Sequence, residues 1–167
     1  FGNNISITLF GESHGEAIGI VIEHLPSGIK IDMEAIYKDM DRRKPGTSLS
    51  TQRKESDTFH IISGLHNGCT TGAPLCMIIK NEDHDSSSYN ILKTHMRPSH
   101  SDYSAYIKYN GYNDVRGGGH FSGRLTAPIV FAGAIAKQIL ASKDIYIGAH
   151  ISLIKDILST KLNIKIP

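Results

Sequence analysis

The residues best suited to chemistry lie in three short segments where histidine or arginine sits among glycine, serine and proline. The first is Gly11-Glu12-Ser13-His14-Gly15. An imidazole on so tight a turn can face a ligand, and its ordinary pKa of about 6.5 lets it exchange a proton near neutral pH. The same residues also describe a polar turn whose histidine merely hydrogen-bonds the backbone. The second segment is Arg97-Pro98-Ser99-His100-Ser101-Asp102-Tyr103. Proline fixes the backbone ahead of a helix start, so Arg97 and His100 project from a set place and the helix terminus adds partial positive charge. Simple capping by Ser101 or Asp102 beside a surface histidine is the plainer alternative.

The third segment is Arg116-Gly117-Gly118-Gly119-His120-Phe121-Ser122-Gly123-Arg124. Glycines admit a ligand close to the backbone, and free N–H groups ahead of a helix attract phosphate or the polar edge of a flavin. No Gly-Lys-Ser/Thr follows, so this is not a Walker loop, and the spacing is not that of a dinucleotide fold. A basic stretch adds Arg42, Arg43, Lys44, Arg53 and Lys54. Arginine grips carboxylate and phosphate bidentately, and converging arginines can hold a multiply anionic substrate. Basic residues also simply suit a solvated helix end.

Other chemistries find little support. The nine histidines show no zinc-like spacing, so no metal site is expected. A net charge of +2 without interleaved aromatics does not point to nucleic acid. No apolar run approaches the roughly 18–20 residues of a membrane span, and no signal-peptide pattern opens the chain. Cys69 and Cys76 match no metal or redox motif and read as structural thiols, consistent with a cytoplasmic setting.

The elements that must position these segments follow from periodicity. The 167 residues, 40% hydrophobic, allow one domain with a core. Alternation at Ile5, Ile7 and Leu9 predicts a strand into the first turn, and Ala17–Glu23 a second, closed by Pro26-Ser27-Gly28. Asp32 can cap a helix to about Asp41, with Met33, Ile36, Tyr37 and Met40 on one face, ended by Pro45-Gly46. Thr47–Glu55 reads as a loop. Thr58–Ser63 and Leu75–Lys80 read as strands joined by a glycine-rich turn, and Asn81–Met96 as an exposed, mobile excursion. Ser101 can cap a short helix through Lys108. Leu125–Ser142 reads as a helix buried on most sides, and Ile145–Ile154 as a strand. The order favours an α+β sandwich over a doubly wound sheet. The absence of an initiator Met and a new strand-like run at Leu162–Ile166 read as two cut ends of a single partial domain.

Taken in order, the segments resemble chorismate synthase: Phe10–Gly15 (FGESHG), Asp41–Gly46 (DRRKPG), Arg53–Asp57 (RKESD), Ile62–Gly64 with Thr70–Pro74, Arg97–Tyr103 (RPSHSDY) and Asp114–Ala127 (DVRGGGHFSGRLTA). The resemblance implies a carbon–oxygen lyase that converts 5-enolpyruvylshikimate 3-phosphate to chorismate by 1,4-elimination of phosphate and a proton, requiring reduced FMN. It implies a β-α-β sandwich, a homotetramer, and a role in the shikimate pathway to aromatic amino acids. His14 matches the histidine thought to protonate the departing phosphate, and His100 the one thought to act on the reduced flavin. Arg43 matches a basic residue of the anion pocket, which Arg53, Arg97 and Arg124 would extend. His120-Phe121-Ser122 match a segment that contacts FMN. Whether NADPH or an external reductant reduces the flavin stays open. Thr47-Ser48-Leu49 lack a basic residue that members often carry, and His120-Phe121-Ser122-Gly123 replaces a common Arg-Ser-Ser-Ala. A C-terminal half with further flavin contacts and an aspartate for proton removal is not matched, so this stretch alone is expected to be inactive. A phosphate- or nucleotide-binding module without chemistry is the alternative.

Overall fold

Alternation of Ile18, Ile20 and Ile22 with smaller residues makes β2 (Ala17–Glu23) one-sided, and all three isoleucines are buried. In the computed structural model, which describes residues 2–44, 56–82 and 87–160, β2 pairs antiparallel with β1 (Ser6–Gly11). Two further strands follow, β3 (Phe59–Ser63) and, after a small hairpin of β4 (Leu65–His66) and β5 (Cys69–Thr70), β6 (Leu75–Lys80). The sheet order is β1-β2-β6-β3, antiparallel throughout. Leu75, Met77 and Ile79 join the β2 isoleucines on one face. The turn expected between Thr58–Ser63 and Leu75–Lys80 thus contains a hairpin of its own.

That face is covered by two helices. In α1 (Met33–Arg43), the Asp32 carboxylate accepts from the N–H groups of Glu34 and Ala35, satisfying orphan donors of the first turn as expected. Ile36 and Met40 point inward, while Tyr37 is half exposed and stacks on Phe59 at 4.9 Å. The second helix, which we call α3 (Thr126–Ala141), packs on α1 and β2 and buries Phe131 edge-on against Phe59. Gln138 ties the two helices, its Oε1 accepting from Asp32 N at 2.8 Å while its Nε2 donates to Asp32 O at 2.9 Å. Between the sheet and α3 comes the short α2 (Asp102–Lys108). Mixed helix and antiparallel sheet make an α+β fold. On the opposite face Val21, Cys76 and Ile78 are half-buried and Ile62 is exposed.

Four expectations need correction. The polar stretch after β6 is exposed over much of its described length, but Asn81 is buried and Ser87–Lys93 winds into a 3-10 turn. Helix α3 buries one stripe (Ala127, Pro128, Phe131, Ala134, Ile135) and not most of its sides. No strand runs over 145–152; only β7 (Leu153–Ile154) and β8 (Ile157–Leu158) pair, as an exposed hairpin. Ser101 precedes α2 without a side-chain capping bond. Pro45-Gly46, the Thr47–Glu55 loop with Arg53, and the run at Leu162–Ile166 lie outside the described residues.

Candidate active site

The β1–β2 turn carries His14, and its shape is imposed by a neighbour that the sequence did not single out. Asn81, just past β6, donates through Nδ2 to the carbonyls of Glu12 (2.9 Å) and Gly15 (2.8 Å). Its backbone N–H reaches Glu16 O. One amide therefore ties both sides of the turn together, adding to the bond that Glu12 O already accepts from Gly15 N–H. Asn81 Oδ1 in turn accepts from Arg124 Nε at 3.2 Å. Arg124, only 4% exposed, also donates to Asp57, a carboxylate with no exposed side-chain surface that Arg43 shares. A buried chain thus runs from Arg43 through Asp57, Arg124 and Asn81 to the turn of His14.

His14 itself is 6% exposed, with Ser13 Oγ 2.8 Å from its Nδ1 and Tyr89 edge-on at 5.0 Å. Its other neighbour is the glycine loop. Gly117, Gly118 and Gly119 all have positive φ (56°, 86° and 55°), which side chains rarely tolerate in succession. A Cβ on Gly117 would overlap His14 Cε1 and Nδ1 and Ser13 Oγ. A Cβ on Gly118 would come 2.9 Å from His100 Cε1 and 3.4 Å from its Nε2. Adjacent Cα atoms are about 3.8 Å apart, so two histidines separated by 86 positions meet at one dipeptide. The loop is held in place by Ser13 N donating to Gly119 O and by His120 Nδ1–H donating to Gly11 O at 2.9 Å.

His100 reaches this dipeptide from the loop before α2. Asp102 organises that loop: Arg97 donates to it through Nε (2.8 Å), Nη2 (2.8 Å) and its backbone N–H (3.0 Å). His100 Nδ1 lies 2.7 Å from the same carboxylate. The Arg97 hydrogen bonds, against the opposing effect of burial, hold the Asp102 carboxyl far below the usual carboxylate range. Arg116 grips Asp114 in the same bidentate way. Burial alone would raise the Asp114 pKa, but the Arg116 bonds outweigh it and the net direction is down.

Beside the turn and the glycine loop opens a cavity of about 540 Å³, lined by Gly11, Glu12, Tyr109, Tyr112, Asn113, Asp114, His120 and Phe121. That volume suits a small-molecule site of roughly 300–1,000 Å³. Its walls are aromatic, with Lys108 Nζ 5.8 Å from the Phe121 ring centre. Asn113 Oδ1 is buried and finds no donor among the described residues. Aromatic walls and an orphaned acceptor fit a planar cofactor with a polar edge. Ser122 does not face the cavity; its Oγ accepts from Arg124 N.

Of the residues expected to act, then, His14, His100 and the glycine loop converge, and His120 and Phe121 line the neighbouring cavity. The arginines have protein partners: Arg97 is committed to Asp102, and Arg43 and Arg124 meet at Asp57. Arg43 nonetheless keeps a buried Nε with no acceptor among the described residues. Asn81, Asp57 and Tyr89 were missed, because polar residues in polar surroundings give no periodic signal. No cluster of three His, Cys, Asp or Glu suited to a metal occurs among the described residues.

An antiparallel sheet under two helices, with two imidazoles meeting at a glycine loop, defines an α+β domain with a candidate site at that loop. The family comes from comparison: the chorismate synthase family model matches residues 5–166, and the chain belongs to that family. It is 49% identical over 164 residues to a chorismate synthase of Pyrococcus abyssi, covering 98% of this chain and 46% of that protein. It is 54% identical over 145 residues to one from a Polaromonas species, covering 86% and 39%. A crystal structure of a chorismate synthase superimposes with a TM-score of 0.58 at 29% identity, over 84% of this chain and 35% of that one. The chain spans less than half the length of these relatives.

Proposed function

We propose that the complete protein is a carbon–oxygen lyase that forms chorismate by 1,4-elimination of phosphate and a proton from 5-enolpyruvylshikimate 3-phosphate. The observation that carries this reading is the meeting of the His14 and His100 imidazoles at Gly117-Gly118, beside an aromatic-walled cavity. His14 is the general acid for the departing phosphate: it is shielded from water and fixed by Ser13 and Tyr89, and a phosphate leaves readily only when its growing charge meets a proton donor. The substrate carries two carboxylates and a phosphate, and Arg43 can offer its unpartnered Nε to such a guest. Arg53, Arg97 and Arg124 are the further candidates for holding it.

Reduced FMN, when bound, supplies electron density to the allylic system that side chains lack. Phe121 and Tyr109 would pack against its ring, and Asn113 Oδ1 and the pinned His120 would meet its polar edge, with Ser122 setting the backbone beside it. If the protein reduces its own flavin, NADPH is the reductant we assign. We assign the working form to a cytoplasmic homotetramer.

The test is to supply the complete protein with FMN, a reductant and 5-enolpyruvylshikimate 3-phosphate and to assay free phosphate. Catalytic release that stops without reductant is the expected result. Tight binding of substrate or flavin with no phosphate release would favour a binding module instead.

A further inference from the structure

His100 can hold its proton on either ring nitrogen, and which nitrogen faces the site decides what it can do. Its Cε1 and then its Nε2 lie nearest Gly118, so Nε2 is on the side of the glycine loop, while Nδ1 is turned to Asp102 and Arg97. Two groups compete for Nδ1. Asp102 Oδ1 lies at 2.7 Å and Arg97 Nη2 at 3.2 Å. Guanidinium only donates, so pairing with it would need a bare Nδ1; pairing with the carboxylate needs Nδ1–H. The shorter contact is to a charged acceptor, and such bonds are the stronger ones.

We propose that Asp102 is a positioning residue for His100, holding the imidazole as the Nδ1–H tautomer so that Nε2 is presented at Gly118 to exchange a proton. The inference rests on reading this site as a proton-transfer centre. Three observations carry it. Asp102 is 9% exposed, and neither it nor Ser101 makes a side-chain cap at α2, so its carboxylate is committed to Arg97 and His100. The Arg97 bonds occupy both its oxygens, fixing the plane that His100 meets. The loop between is bent to suit, with Ser99 at φ 60°, a conformation that serine rarely adopts and that persists where surrounding contacts impose it. Nearby, Tyr89 of the 3-10 turn acts electrostatically on Arg97, and across Gly117-Gly118 stands His14, which together with Arg116 acts on Asp114.

Asp102→Asn keeps the shape but offers only one accepting oxygen, so Nδ1 can face an amide N–H and the proton can move to Nε2. In the complete protein we expect kcat for phosphate release to fall about 10²- to 10⁴-fold. Arg97→Gln keeps the backbone N–H bond to Asp102 and the carboxylate itself, so His100 should keep its acceptor while kcat falls much less than in Asp102→Asn and KM rises. The reading that separates positioning from mere support is the tautomer itself, taken from ¹⁵N shifts of histidine-labelled protein. Wild type should show His100 protonated at Nδ1, and Arg97→Gln should preserve this while Asp102→Asn shifts the proton toward Nε2. A wild-type His100 carrying its proton on Nε2 would overturn the proposal even if Asp102→Asn did not fold. So would wild-type kcat in a folded Asp102→Asn protein. Nδ1 protonation in a wild type that releases no phosphate would leave Asp102's role standing and remove the lyase reading.

Discussion

His14→Ala in the complete protein is expected to reduce phosphate release by about 10²- to 10⁴-fold, the range a positioned proton donor contributes. The size follows from burial: at 6% exposure, water has little room to replace the lost imidazole. Because the alanine is smaller and the turn is still held by Asn81 at Glu12 and Gly15, the fold should survive. An unfolding transition close to wild type, with substrate and FMN still bound, should accompany the lost turnover. Turnover within a few-fold of wild type would mean that His14 is only a well-packed turn residue.

Gly117→Ala should approach the same severity without removing any functional group. The added methyl falls on the His14 ring and the Ser13 hydroxyl, and the backbone at φ 56° resists a side chain in any case. The ring has to move, and a displacement of about 1 Å at a reacting group can cost roughly 100-fold in rate. The backbone strain adds about 1–3 kcal/mol of destabilisation. Gly133→Ala is the matched control. Its Cβ enters open space within α3, so activity should hold and stability rise by up to about 1 kcal/mol. Steady-state kinetics and urea unfolding of the two variants, run side by side, check the contrast.

The sheet and first helix were legible because their signals are local. Alternation at Ile5, Ile7 and Leu9 leads into β1, short apolar runs bounded by turn residues mark β2 and β6, and an aspartate before Met33 marks the start of α1. What failed depended on partners distant in the chain. Ile145–Ile154 has strand composition, yet only its last two residues find an antiparallel neighbour, and a strand without one gains little. Asn81–Met96 looked like surface because it is polar, whereas Asn81 is itself buried and bonds the carbonyls of the His14 turn, and Tyr89 packs on His14.

The site was legible as a set of residue types and much less as a set of roles. Glycines between arginine and histidine pointed to close approach, and the approach is real: the close neighbours of Gly117 and Gly118 are the two imidazoles. Arginine, by contrast, reads the same whether it awaits an anion or is already paired. Arg97 and Arg124 turned out to be anchored by Asp102 and Asp57, carboxylates that the sequence offered only as a capping candidate and the end of a motif. Spacing along a chain does not encode which acid will meet which base.

The most direct test is a crystal structure of the complete protein with FMN and 5-enolpyruvylshikimate 3-phosphate bound. We predict the substrate phosphate within hydrogen-bond reach of His14, the His100 Nε2 turned to the flavin, and the flavin ring against Phe121. Ligands seated elsewhere, with Gly117-Gly118 and both imidazoles touching neither, would contradict the account.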